Sequence, residues 1–329
     1  MTVRDQAFLY CFLIYGQQKE EILAVLPAER AETLKKEVKK FDRFPKEVRL
    51  TIVLKLLGYL VQHIRNRNLE MVHPTWIAES LRNENASITL GILNQFSSDY
   101  RERVLDFLTP FTSPVFDPLK SVSSDCSDVV LQIFCNRFAS MSAPWGEAEL
   151  NLDTLYLLKE EDLDTLVFQL GVREIARAFV LAGNAALAAV VSRIPAYVQE
   201  DFLAAVKVAK TLSPERQKAG ARRLAPFASR PLEEAMTKVG LVFLGEVFSH
   251  GKTETARKVA QRLPREMGVV ILETMEKQSE RLEGEEDDIM STIHELTLNG
   301  KIDKNYVETR FRSADPDARL KMSKQNILG

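Results

Sequence analysis

Four times along this chain an apolar helix end runs into a residue that starts a new helix, and a second apolar stripe follows at once. The segments begin at Ile22 (ILAVLPAERAETLKKEV), Ile92 (ILNQFSSDYRERVLDFL), Val190 (VVSRIPAYVQEDFLAAV) and Val259 (VAQRLPREMGVVILETM). Their pivots are Leu26-Pro27, Phe96-Ser97, Ile194-Pro195 and Leu263-Pro264; Phe96 lies 70 residues beyond Leu26, and Leu263 lies 69 beyond Ile194. Proline cannot continue a helix, but its fixed φ suits the first position of a new one, and Ser97 can cap instead. The apolar residue before the pivot staples the two helices together. After each pivot apolar residues return at helical spacing: Ala31, Leu34 and Val38; Val104, Leu105 and Leu108; Phe202, Leu203 and Val206; Val270, Ile271 and Met275. One such helix pair cannot bury its own stripe, so the pattern predicts an all-α chain whose repeats stack on one another. Only 14 glycines and 13 prolines in 329 residues agree with long helices.

Breaks in this pattern divide the chain. A helical domain is expected over residues 1–66 and a second over 67–120. Residues 121–150 read as a hinge, with a serine run (Ser121, Ser123, Ser124, Ser127) and one apolar helix from Val129 to Phe138. Pro110, Pro114, Pro118 and Pro144 flank it. Two further repeats follow over 151–236 and 237–312, and a polar tail over 313–329. The acids between Glu280 and Asp288 precede an apolar helix and suit its positive N-terminus.

Charge and motif content narrow the chemistry. Lys and Arg (44) balance Asp and Glu (46), which leaves no basic field for nucleic acid. Three cysteines (Cys11, Cys126, Cys135) make no disulfide framework and read as free thiols of a reducing compartment. The apolar run from Ala7 to Tyr15 is too short for a membrane span, so a cytoplasmic chain is expected, reaching a membrane only through a partner. The four histidines (His63, His73, His250, His294) are unpaired at helical spacing, and no metal or cofactor site is expected. Gly245 to Thr253 ends in the Gly-Lys-Thr of a phosphate loop, but five residues separate its glycines where four are needed, and a helix precedes it. Gly251 reads as a helix C-cap and Thr253 as the next N-cap. The acid runs Glu160-Glu161-Asp162 and Glu285 to Asp288 read as solvated helix starts. No catalytic grouping stands out, and the chain is not expected to be an enzyme.

The segment from Glu70 to Leu108, with Val72-His73-Pro74-Thr75 opening a helix, resembles the middle domain of the flagellar rotor protein family FliG, which carries a Glu-His-Pro-Gln element there. Lys238 to Asp303, with ARKVAQRLPREMGVVILETMEK and an Asn299-Gly300-Lys301-Ile302 finish, is similar to that family's C-terminal domain, and Tyr10 to Leu56 to its first. The resemblance implies armadillo-like, right-handed repeats in several small domains joined by linkers. It implies a structural protein of the rotor switch complex, linking the membrane ring to the cytoplasmic ring at the inner face of the cell membrane. Its partners would be other switch and basal-body proteins, and further copies of itself in a ring. His73, Pro74, Thr75 and Trp76 would then meet a partner. Arg265, Glu266, Glu273 and Glu276 would form the charged helix facing the stator. Thr274 replaces a second adjacent acid, Ala204 and Ala205 are uncharged, and Ile133-Phe134 and Phe138 only loosely match the family's Met-Phe-x-Phe hinge, which implies a divergent member or paralogue. The alternatives are a helical-repeat adaptor outside motility and a regulatory module related to the Mg²⁺-transporter cytoplasmic domain.

Overall fold

The computed structural model describes residues 69–108, 124–141, 151–277 and 282–302, with single positions at 32, 36, 45, 48 and 51. Contacts divide the chain into Met1–Leu69 and Glu70–Gly329. The Leu26-Pro27 pivot, the Ala7 to Tyr15 run and the tail from 313 lie outside the described residues. Among the described residues every regular element is helical, and no helix is long and apolar enough to cross a membrane. The second unit holds α1 (Pro74–Leu81), α2 (Ala86–Leu93), α3 (Ser98–Leu108), α4 (Ser124–Cys135), α5 (Glu160–Ala182), α6 (Asn184–Val191), α7 (Ala196–Ala209), α8 (Pro214–Leu224), α9 (Leu232–Phe248), α10 (Thr253–Arg262), α11 (Arg265–Glu276) and α12 (Glu285–Leu298). A 3-10 turn, Leu152–Leu157, precedes α5.

All three described pivots end one helix and begin the next. Pro195 and Pro264 occupy the N-cap of α7 and α11, with φ of −55° and −47°, one residue ahead of the first helical position expected for them. Both prolines are themselves extended, with ψ of 144° and 138°, and Leu263 before Pro264 is extended too, at φ −94° and ψ 159°, as proline requires of its neighbour. At the other pivot the Ser97 carbonyl accepts from Arg101 N–H at 2.9 Å, and the Ser97 N–H donates to the Glu70 carboxylate at 2.6 Å. The stripes face inward at Val104, Leu108, Phe202, Val206 and Ile271. Leu203 differs: it lies on the outer side of α7, 46% exposed.

Three helices recur around each pivot. In α1–α3, α5–α7 and α9–α11 the third helix of the set packs on the first. At the centre stands α5, 23 residues long, against which α6, α7, α8, α9 and α12 all pack. Glycine governs its closest contacts. A Cβ on Gly171 of α5 would land on the Met236 carbonyl of α9, and one on Gly240 of α9 would land on the Val167 carbonyl of α5. The two helices therefore cross backbone against backbone, at a separation no side chain permits. Val172, Ile175, Ile194, Phe202, Met236 and Val239 close an apolar core beside the crossing.

Next to that core lies a buried ionic cluster that ties four helices together. Arg223 of α8 donates to Glu174 of α5 at 2.6 Å, to Glu246 of α9 at 2.7 Å and to Glu285 of α12 at 2.5 Å. Arg177 of α5 pairs with Glu174 and with Asp288 of α12, the latter at 2.6 Å, and Arg216 of α8 also pairs with Asp288. The Phe243 ring of α9 lies 4.8 Å from the Arg223 guanidinium and gives that cation an aromatic face. Burial opposes the charge on Arg223, but Glu174, Glu246 and Glu285 outweigh it and raise its pKa above the ordinary arginine range.

Several expectations change here. Glu285 and Asp288 do begin a helix, but they are not free in solvent: Glu285 is 4% exposed and pairs with buried Arg223, and Asp288 pairs with buried Arg177. Asp162 in the other acid run is likewise buried. Ser124 and Ser127 of the serine run belong to α4, and Ser121 and Ser123 lie outside the described residues. The boundary expected between 236 and 237 falls inside α9, where Met236 packs on α5. Gly245 also lies inside α9, facing the Ile271 carbonyl and the Thr274 Cβ of α11 at 2.7 Å each from where its own Cβ would stand. Gly251 takes φ 91° in the turn after α9, and Lys252 rather than Thr253 is the N-cap of α10.

Gly171→Ala is expected to cost about 3 kcal/mol in urea unfolding by forcing α5 and α9 apart. Gly91→Ala, in α2 with open space around it, should be neutral or stabilising by about 0.5–1 kcal/mol. Equal effects at the two sites would refute the backbone contact. Arg223→Leu strands Glu174, Glu246 and Glu285 and is expected to cost about 3–5 kcal/mol in the same assay.

Candidate functional site

The His73 to Trp76 segment and the charged helix α11 meet in one place. His73 is the N-cap of α1 and Pro74 its first residue. The His73 Nδ1 accepts from Thr75 N–H at 3.3 Å and lies 2.8 Å from Thr75 Oγ1. The His73 Nε2 stands 3.0 Å from the Glu160 carboxylate at the start of α5. The second oxygen of Glu160 takes Arg103 of α3 at 3.2 Å. Burial alone would raise the Glu160 pKa; hydrogen bonding and charge from His73, with the charge of Arg103, hold it instead at about 2.

Neighbouring residues bolt α1 to the α10–α11 corner. The His73 N–H donates to the Gln261 carbonyl at 2.7 Å, and the Gln261 side chain accepts from Ala139 N–H at 2.8 Å. The Arg262 guanidinium donates to the Met71 and Leu158 carbonyls, both at 2.8 Å. The Trp76 Nε1 donates to the Leu263 carbonyl at 3.0 Å, and the Arg265 N–H donates to Thr75 Oγ1 at 2.8 Å. The Arg265 guanidinium lies 5.9 Å from the Trp76 ring centroid. Beneath that ring is Gly268, where a Cβ would stand 2.7 Å from Trp76 Cζ2.

This geometry changes the part assigned to the segment. His73 is 8% exposed and Pro74 is buried; Thr75 and Trp76 are half-buried, each with its polar group spent within the chain. They join α1 to the rest of the unit rather than present a free face. Arg265, Glu266, Glu273 and Glu276 are all exposed along α11, whose inner side is fixed by Ile271 and Gly268. Gln261 and Arg262 are the residues the sequence reading missed. Arg262 looks like an ordinary cation at a helix end, and nothing local marks its distant carbonyl acceptors. Among the described residues no three His, Cys, Asp or Glu side chains gather as a cation site requires. His294 is exposed, His250 half-buried, and Cys135 is a free, half-buried thiol.

A Glu160 carboxyl held at about 2 against an ordinary 4.5 contributes stability that is fully present above pH 4.5 and is lost as pH falls toward 2. Glu160→Gln should therefore melt below the parent at pH 5, and the gap should close between pH 4.5 and 2. A gap of constant size across that window would show that the pair does not bear on stability.

Set beside protein-family models, curated proteins and solved structures, the chain matches none.

Proposed function

We propose that this chain is a non-catalytic scaffold of the flagellar rotor type, a divergent relative of FliG, that works by holding partner proteins on rigid helical repeats. The three helix sets would be armadillo-like repeats of right-handed stacking. The observation that carries the reading is α11: four exposed charges, Arg265, Glu266, Glu273 and Glu276, ride on a helix clamped from behind. Such a face offers a partner preorganised charge, which favours fast and selective docking. Support also comes from the sequence resemblance over Glu70 to Leu108 and Lys238 to Asp303. In this reading the first domain meets the membrane ring, further copies assemble into a ring at the inner face of the membrane, and other switch proteins bind outer helix faces. The His73-Pro74 turn serves as the joint that fixes those faces, not as a contact.

The test is capture of the tagged full chain from its own cells, with mass spectrometry of what is retained. Flagellar switch and basal-body proteins are expected. Retention of unrelated soluble proteins, with none from the motor, would replace the rotor reading by that of an adaptor outside motility. The double variant Glu273→Lys, Glu276→Lys should lose about tenfold or more of the captured partner. Its unfolding free energy should move by no more than about 0.5 kcal/mol, as for other exposed positions.

A further inference from the structure

The α6–α7 and α10–α11 corners are built alike, and one difference between them stands out. In each, an apolar pivot residue, Ile194 or Leu263, precedes proline and cannot direct its carbonyl into a helix ladder. In the α10–α11 corner that carbonyl, on Leu263, accepts from the Trp76 indole at 3.0 Å. In the α6–α7 corner the matching carbonyl, on Ile194, accepts from the chain's own Gln199 Nε2 at 3.1 Å. Gln199 stands five residues after its pivot. Five residues after Leu263 stands Gly268, the residue beneath the Trp76 ring.

We infer that the α10–α11 corner is a socket for an indole-bearing helix start, that Gly268 opens it to Trp76 of α1, and that Gln199 closes the equivalent corner of the second helix set by taking its free carbonyl. The two residues before the pivots follow the same division. Gln261 and Arg262 are buried and bonded to the segments around α1 and α4, whereas Ser192 and Arg193 are exposed. A side chain at 268 would occupy the place of the ring, and a glutamine there would also supply the carbonyl with a donor. The socket thus selects by shape and by one unfilled acceptor together. A helix start without an indole leaves that buried acceptor unmet, which is costly. The first helix set therefore has one docking place in this chain although two corners share its outline. A partner competing for the place must bring a helix start with tryptophan near its N-terminus. This inference deepens the scaffold reading by specifying the joint, and it does not depend on which partners are captured.

Hydrogen exchange of the full chain reads the joint directly, because two of its amides are bonded across it: His73 N–H to the Gln261 carbonyl and Arg265 N–H to Thr75 Oγ1. Gly268→Gln is expected to speed exchange about tenfold or more in peptides covering residues 72–77 and 265–267, with α5 and α9 unchanged. A Cβ at 268 also meets the Ala260 carbonyl of α10, so a second variant leaves that contact alone. Trp76→Ala should produce the same local acceleration. Trp76→Phe, which keeps a ring but loses the donor, should give roughly fivefold, the equivalent of one neutral hydrogen bond. Unchanged protection in Trp76→Ala overturns the socket. Acceleration in Gly268→Gln that spreads through α5 and α9 overturns the gating role of Gly268 and leaves it a packing residue.

Discussion

Backbone contact between helices sets the terms for everything else in the second unit. Where Gly171 of α5 meets Gly240 of α9, the helix axes approach more closely than side chains allow, and Gly220 of α8 comes against the α5 backbone in the same way, its Cβ position 2.6 Å from the Glu174 carbonyl. Three residues beyond these glycines stand Glu174 and Arg223 of the ionic cluster and Phe243, the ring against Arg223. Residues three apart share a helix face. The close approach therefore carries those three groups into the same dry space, and Arg223 meets Glu174 at 2.6 Å over the Phe243 ring. Without the glycines the helices would stand farther off and the charges would face water, where an ion pair contributes little.

Buried charge of this kind is weak as net stabilisation, since desolvation offsets most of the attraction. Its value here is in selecting one arrangement. Arg223 alone reaches three other helices, and Arg177 and Arg216 both meet Asp288 of α12, so a helix shifted by a turn would leave a charge without its counterpart. Apolar contacts tolerate such slips and ionic ones do not. The α1 joint uses the same logic with weaker groups, through the Glu160 carboxylate shared by His73 and Arg103 and the carbonyls bonded by Arg262.

What could be read from the sequence was what is decided locally. The pivots at Phe96, Ile194 and Leu263 end helices because proline or serine chemistry acts on its own neighbours, and no distant residue changes that. The inward positions Val104, Phe202 and Ile271 followed from periodicity. The ionic cluster was not legible, because its partners lie 49, 62 and 111 residues apart and each looks like a surface charge on its own helix. Glycines inside α5, α8 and α9 were equally silent: a sequence shows the missing side chain but not the backbone that fills its place. His73 was legible as part of a helix opening, but its burial against Glu160 was not, since Glu160 belongs to another helix set. Leu203 shows the limit of periodicity, with a side chain at the right spacing but on the outer side of α7.

The position of α12 in the chain has a consequence for how the protein is made. Its Glu285 and Asp288 supply two of the carboxylates that neutralise Arg177, Arg216 and Arg223. Chains emerge from the ribosome N-terminus first, at about 5–20 residues per second. The three arginines are therefore synthesised well before these acids, and until the acids arrive only Glu174 and Glu246 are present to oppose them. Arrival of the acidic turn at the head of α12 supplies the two missing carboxylates, so the ionic cluster has all its members only once nearly the last of the described residues has been translated.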